Sequence, residues 1–330
     1  MSGSAGSARL GEFGRIARFF APLAGPGGLG LTDDAALVDC PPGHRLVMTV
    51  DAMVEGVHYL ASDPPDLVAR KLLRVNLSDL AAMGARPKHY LLTTALPQSF
   101  GDDWLAAFAS GLAEDQRLFG IDLLGGDSVS TPGPATLSLT AIGEVATGAE
   151  IRRGGAKPGD DVWVSGTIGD AYLGLKVLRG EYPDLSPDDR AYLAGRYRLP
   201  APRTGLGARL IGLAHAMQDV SDGLLADLGH ICDVSGVGAT VSLPEIPLSA
   251  AAARITAVAP QIAAQFATGG DDYELLFTAP RDKAGSIKAA AKESCVQISR
   301  IGTVEAGTTV RLVDRAGKAI EVGPAGYRHF

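Results

Sequence analysis

The residues most able to do chemistry in this sequence are aspartates placed beside glycine or at the ends of apolar runs. Asp33 and Asp34 follow a glycine-rich stretch, Asp51 closes VMTVD, Asp79 sits in NLSDL and Asp127 in GGDS. Asp219 and Asp222 belong to QDVSDG, and Asp271 and Asp272 to GGDDYEL. Carboxylates on loops at strand ends suit hard divalent cations, and Mg2+ in particular takes one or two carboxylates together with substrate phosphates. Each acid also has a plainer role. Asp222 can cap a helix over 223–235, and Asp33 and Asp271 can serve as turn residues. Asp79 lies among Leu77, Leu80, Ala81, Ala82 and Met83, where an unpaired carboxylate would be costly. Either an ion pair to Arg74 or Arg86 or a metal ion must satisfy it. The pairs Asp102-Asp103, Asp160-Asp161 and Asp188-Asp189 read as helix starts or turns. Arg152, Arg153 and Lys157 either reach a phosphate or form a solvated linker, and His58 either contacts a ligand or lies on the surface.

Regular elements must hold these groups in place. Residues 12–21 read as a short helix followed by the glycine-rich loop AGPGGLGLTDD, and 44–53 as a strand that ends at Asp51. Residues 66–84 have helical apolar spacing, 88–97 form a strand between Pro87 and Pro97, and 102–120 a helix with acids at its start and Gly120 at its end. IDLLGGDS predicts a short strand running into a turn, and 135–145 another strand. Near 148–160 the sequence turns rich in Gly, Pro and charge, which predicts a domain boundary separating 1–148 from 149–330. Beyond it come strand DVWVSG, helices 169–180 and 203–216, strand AMQDV, helix 222–235 and strand GATVSL. An alanine-rich helix near 250–259, strand YELLFTA, helix 281–293 and strands near 296–304 and 308–313 complete the chain. Strands and helices alternate, yet several strands are joined by short turns. The expected fold class is therefore α/β, with mixed-sheet sandwiches in place of a doubly wound parallel sheet.

The chain has 330 residues, 46% of them hydrophobic, with a formal net charge of −7. The charge argues against a nucleic-acid partner, since phosphate backbones attract clustered Lys and Arg. The three cysteines, Cys40, Cys232 and Cys295, are widely spaced and outside any CxxC pattern, which fits a reducing cytoplasm. No apolar leader and no membrane-length apolar run are found. GPGGLG at 25–30 satisfies G-x-G-x-x-G, but it follows a helix-like segment, so it is not read as a dinucleotide fingerprint. The P-loop and protein-kinase signatures are missing, so a nucleotide, if bound, is bound by another fold.

Taken in order, GEFGRIARFFAP, TDDAALVD, VDAMVEGVHYL, VNLSDLAAMGARP, LLGGDS, RRGGAKPGD, DVSDGLLADLGHI, TGGDDYELLF and the terminal GYRHF resemble the bacterial thiamine-monophosphate kinase family. That family shares a superfamily with aminoimidazole ribonucleotide synthetase and selenophosphate synthetase. The similarity runs from residue 11 to the end. It implies a two-domain aminoimidazole ribonucleotide synthetase-like fold, with an N-terminal ATP- and Mg2+-binding domain that forms a homodimer. It implies ATP-dependent phosphorylation of thiamine monophosphate to thiamine diphosphate by direct in-line transfer, assisted by several Mg2+ ions and needing no general base. Position by position, it implies that Asp34, Thr49, Asp51, Asp79, Asp127, Asp219 and Asp222 bind Mg2+. Gly126, Asp127, Arg153 and Ser221 would contact ATP, and His58, Asp271 and Tyr327 the thiamine substrate.

Three positions depart from the family pattern. Thr32 replaces a glycine of the loop, Val50 replaces a threonine and so removes a possible oxygen ligand, and Asp271 replaces a glutamate. The alternatives are another ATP-dependent synthetase of the superfamily and a non-catalytic nucleotide-binding regulator. The first cysteine, Cys40, lies past the loop, unlike the reactive N-terminal residue of selenophosphate synthetase, and the chain ends GYRHF where hydrogenase-maturation relatives end in cysteine. The expected aspartates are all present, which disfavours the regulator.

Overall fold

A computed structural model describes residues 10–322. The described residues divide into two compact units: 10–42, 48–76 and 87–143 form the first, and 43–47, 77–86 and 144–322 the second. Each strand and helix below is numbered in chain order.

The first unit carries α1 (Glu12–Arg15), β1 (His44–Val54), most of α2 (Pro65–Ala82), β2 (Arg86–Pro97), α3 (Asp102–Phe119), β3 (Asp122–Thr131) and β4 (Thr136–Ala146). Its sheet has the order β1-β4-β2-β3, with β2 and β3 parallel. One face of β2 is buried through Leu92, Thr94 and Leu96, while Leu91 and Thr93 on the other face are exposed. That alternation is the period of a strand with one face against a core. The α2 side chains Leu72, Leu73, Leu77 and Leu80 are fully buried, as are Phe108 and Leu112 of α3. Asn76 and Gln116 tie these helices to the sheet: Asn76 Oδ1 accepts from Asp51 N–H at 3.1 Å, and Gln116 Nε2 donates to Tyr90 Oη at 3.2 Å. Acids at the start of α3 and a left-handed Gly120 at its end close that helix as the sequence predicts.

The second unit carries β5 (Asp161–Ser165), α4 (Asp170–Leu178), α5 (Pro187–Arg198), α6 (Thr204–Arg209), β6 (Ala216–Asp219), α7 (Leu224–Ser235) and β7 (Gly238–Ser242). It continues with α8 (Ala250–Val258), α9 (Ala263–Phe266), β8 (Leu275–Ala279), α10 (Ala284–Glu293), β9 (Ile298–Glu305) and β10 (Val310–Val313). Its sheet has the order β10-β7-β9-β5-β8-β6. Only β10 and β7 run parallel among the pairings described; β5 is antiparallel to β8 and β9. Every residue of β5, β6 and β8 is buried. Val162, Val164 and Leu276 pack into one core cluster, Trp163, Leu275 and Phe277 into another. Both sheet faces are therefore covered, which is why these strands read as unbroken apolar runs.

The expected mixed α/β architecture is present, with local differences. β1 continues to Val54, so Asp51 lies inside the strand, and β3 continues to Thr131, so Asp127 sits on a strand and not in a turn. The 203–216 helix shrinks to α6, and 12–21 is a helical turn followed by a π-turn over Ile16–Phe20. α5 went unpredicted: apart from Asp189, only Leu193 and Tyr197 of its residues are buried, too few to show a helical period.

Candidate active site

In the first unit, a cavity is lined by the apolar side chains of Ile16, Phe20, Leu31 and Leu92 and by Asp33, Asp34, Gly126, Asp127 and Ser128. The apolar lining is the part that sequence reasoning missed; it carries no chemical signal of its own. Asp34 and Asp127 are both exposed. Asp127 Oδ1 accepts from the Ser128 N–H at 2.8 Å, and Thr94 Oγ1 donates to Ser128 Oγ at 3.1 Å, which fixes this end of β3 against β2. Gly126 pairs with Leu92, and a Cβ there would lie 1.7 Å from the Leu92 carbonyl oxygen. Strand pairing alone thus demands glycine at 126. Thr32 Oγ1 donates to the Leu29 carbonyl at 2.9 Å, so the residue that departs from the family glycine ties down the loop beside Asp33.

Thr49 and Asp51 project from one face of β1, and Met48, Val50 and Ala52 from the other, exposed face. The Val50 side chain therefore points away from Asp51. Asn76 holds Asp51 by its backbone and is itself fully buried, with Nδ2 donating to the Leu72 carbonyl at 2.9 Å. No sequence motif marks Asn76 beyond its place in VNLSDL. Among residues 71–82, Asp79 is the one that keeps partial exposure. Arg74, one candidate partner for it, sets Nε 2.6 Å and Nη2 2.9 Å from the buried Asp115, and Arg86 is exposed. His58 is half-buried; its Nδ1 accepts from Val54 N–H at 3.0 Å, which places the neutral ring's proton on Nε2, and Lys71 Nζ donates to its carbonyl at 3.0 Å.

In the second unit, Asp219 ends β6, and Ser221 and Asp222 follow in the turn that enters α7. The N-cap of α7 is Gly223 with no side-chain cap, so Asp222 does not cap it. The N–H groups there are taken instead by Asp227, one turn into the helix: its Oδ2 accepts from Ser221, Asp222 and Gly223 at 3.0, 3.1 and 3.0 Å. Burial pushes the Asp227 carboxyl up to about 7, against the opposing pull of these N–H groups. Asp222, Asp227 and His230 bring ligand atoms within 4.8 Å of one another, a grouping able to hold a metal ion. Asp227 and His230 stand in DLGHI, and their three-residue spacing on a helix was the signal available to find them.

The 269–274 segment lies against this turn. Asp271 N–H donates to Ser221 O at 2.9 Å and Tyr273 N–H to Val220 O at 2.8 Å. A Cβ on Gly270 would lie 2.4 Å from Ser221 O, so close approach requires glycine. Asp219, Ser221, Asp222 and Asp271 are thus brought together. Beneath them, Asp272 accepts from Gly169 N–H at 2.7 Å and Ala171 N–H at 3.2 Å, closing the start of α4, and burial pushes its carboxyl up to about 8. Glu274, fully buried, accepts from Ser165 Oγ at 2.6 Å, Arg196 Nη2 at 2.9 Å, and Arg203 Nε and Nη2 at 2.6 and 2.5 Å. Asp170, also fully buried, accepts from Thr167, Tyr192 and Ser249 hydroxyls at 2.6, 2.9 and 2.5 Å. Arg153 is exposed, with no part in these contacts among the described residues, and Tyr327 lies outside the described residues.

Residues 32–145 match the model of the AIR synthase related protein, N-terminal domain, and residues 157–315 that of the AIR synthase related protein, C-terminal domain. A thiamine-monophosphate kinase of Caulobacter vibrioides is 46% identical over 304 residues, spanning 91% of this chain and 85% of its own. The crystal structure of thiamine-monophosphate kinase from Stenotrophomonas maltophilia K279a superposes with a TM-score of 0.80 at 40% identity, over 88% of this chain and 91% of that one. AaThiL complexed with AMPPCP and TMP superposes with a TM-score of 0.78 at 32% identity, over 97% of each chain. The two-unit fold, the matched domains and this likeness along nearly the whole chain show that it belongs to the thiamine-monophosphate kinase family of AIR synthase related enzymes.

Proposed function

We propose that this chain transfers the γ-phosphoryl group of ATP to thiamine monophosphate, giving thiamine diphosphate by direct in-line displacement. The observation that carries the reading is the first-unit cavity, whose lining combines apolar side chains suited to a nucleobase with Asp34 and Asp127. AaThiL, 32% identical, is a solved structure complexed with AMPPCP and TMP, a nucleotide analogue and a phosphate-bearing ligand of the kind this reading requires.

The acceptor is a phosphate, already anionic near neutral pH, so the chain needs no strong general base. The obstacle is repulsion: two unit charges about 4 Å apart repel by roughly 4 kcal/mol at an effective dielectric of about 20, and several such pairs must approach. The donors available for Mg2+ fit a hard cation, being carboxylates and a hydroxyl with partial or full exposure on all but Asp219. Asp34, Thr49, Asp51, Asp79, Asp127, Asp219 and Asp222 would hold the ions, several at once. Bound there, Mg2+ supplies charge neutralisation and alignment of the phosphate oxygens. Gly126, Asp127, Arg153 and Ser221 orient ATP. His58, through Nε2, and Asp271 and Tyr327 orient thiamine monophosphate; Asp271 meets its cationic groups, directly or through water. The domain division falls near 148, with ATP and Mg2+ handled chiefly by residues before it.

The chain also works as a homodimer on this reading. On the open face of the first sheet, Met48 and Val50 are each 61% exposed, Val129 48% and Leu91 38%, an apolar surface that a second copy would cover. Sedimentation at micromolar concentration tests it; a monomer would refute it.

Mixing the protein with ATP, Mg2+ and thiamine monophosphate should yield thiamine diphosphate and ADP in equal amounts, and nothing without Mg2+. ATP hydrolysis with no thiamine diphosphate, or no turnover at all, would overturn the assignment.

A further inference from the structure

The segment 219–223 carries three of the residues assigned above, and it is held on both hydrogen-bonding edges. On its N–H edge, Oδ2 of Asp227 takes the three consecutive donors of Ser221, Asp222 and Gly223. On its carbonyl edge, the oxygens of Val220 and Ser221 hold the N–H groups of Tyr273 and Asp271. Those two residues have φ of +50° and +71°, a left-handed region that non-glycine residues enter at a cost. The carbonyls of 220 and 221 thus restrain a conformation that segment 271–273 would seldom adopt by itself. Asp227 is 2% exposed and is fixed in turn by its own N–H, which donates to Gly223 O at 2.9 Å. Three N–H groups at the start of a helix are what an anionic ligand would bind. Here a side chain of the protein already occupies them.

We propose that Asp227 is a positioning residue: by clasping the 221–223 amides it sets Ser221 and Asp222 for ATP and Mg2+, and through the carbonyls on the opposite edge it sets Asp271 for the thiamine substrate. The inference rests on the roles given under Proposed function. It requires an acceptor oxygen at this position and no metal bond from it.

The test compares Asp227→Ala, Asp227→Asn and, as a control, Ser186→Ala, which removes the side-chain cap of α5. Asp227→Ala should raise both the Mg2+ concentration for half-maximal rate and the KM for thiamine monophosphate by about tenfold, with kcat at saturation within about threefold of wild type. Asp227→Asn, which keeps an acceptor oxygen, should stay within about threefold on both measures, and Ser186→Ala should move neither. In the protein without nucleotide or metal, amide hydrogen exchange at Ser221, Asp222, Asp271 and Tyr273 should quicken together in Asp227→Ala and stay slow in Asp227→Asn. Unchanged exchange and kinetics in a folded Asp227→Ala would overturn the proposal. So would an Asp227→Asn as impaired in Mg2+ dependence as Ala, since that is the behaviour of a metal ligand. If Asp227→Ala does not fold, Asp227→Asn decides by the same two measures. A wild-type protein that makes no thiamine diphosphate sinks the functional reading, whereas an active wild type with unresponsive variants sinks this inference alone.

Discussion

Asp127 meets solvent on an open strand, held by the next residue's N–H and a Thr94–Ser128 contact, whereas Asp219 at the end of β6 is 8% exposed and leads into a turn clasped from within by Asp227. The contrast runs through both units. In the first, the exposed Asp34 and Asp127 line a cavity, and the loop before Asp34, Pro26–Leu31, contains left-handed Leu29 and Gly30. In the second, a tier of buried acids, Asp170, Asp227, Asp272 and Glu274, is taken up by hydroxyls, amides and guanidiniums and carries the half-exposed acids above it. The lesson is that acidity alone does not mark a ligand. The proposed ligand acids other than Asp219 keep partial or full exposure, whereas the acids of the buried tier are taken up within the protein.

The comparison can be broken at either end. Asp79→Asn, at the one partly exposed position in an otherwise buried stretch of α2, should leave the fold intact and lower turnover on the order of 100-fold or more. Circular dichroism and turnover measured together check it, and wild-type turnover would place Asp79 among the shape-holding acids. Glu274→Gln should do the reverse, costing about 3–5 kcal/mol and lowering Tm by roughly 10 °C, because two guanidiniums are left beside a neutral amide. A melt within a degree or two of wild type would show that the buried tier is dispensable.

A smaller effect concerns pH. The Asp272 carboxyl is raised by burial to about 8, far above its value in the unfolded chain, so the folded state keeps a proton that the unfolded state has released. Its contribution is complete below the ordinary carboxyl range and is lost as pH rises through 8. Wild type should therefore lose thermal stability as pH rises from about 4 to about 8 and level off above that, and Asp272→Asn, with no proton to release, should lose less. Parallel curves for the two proteins would count against it. Smallest of all, Val50→Thr should leave the Mg2+ dependence within about twofold, since the side chain faces away from Asp51. A large gain in activity would mean that position 50 does reach the ligand set.

Much of this was legible in the chain itself. Unbroken apolar runs such as DVWVS and ELLFTA gave the central strands of the second unit, and the acid-to-glycine frame of 102–120 gave α3. Asp127, Asp222 and Asp271 stood out by their glycine neighbours, and Asp51 and Asp79 by the apolar runs around them. What stayed hidden were groups whose roles exist only across the fold. α5 buries too little apolar surface to show a period, although Ser186 and Pro187 announce its start; it supplies Tyr192 and Arg196 to the buried acids. Helix capping stayed open as an alternative for Asp222 because local sequence cannot tell that Asp227 reaches back to claim the same amides. Asn76, with no titratable group and no motif, could be found only by what it holds.

The pairing of Gly126 with Leu92 changes how its neighbourhood can be interrogated. With the opposite carbonyl 1.7 Å from where any methyl would go, even alanine must prise β2 from β3, and the loss of activity would report broken scaffolding. The informative experiment there edits the nucleotide, atom by atom, and leaves the polypeptide alone.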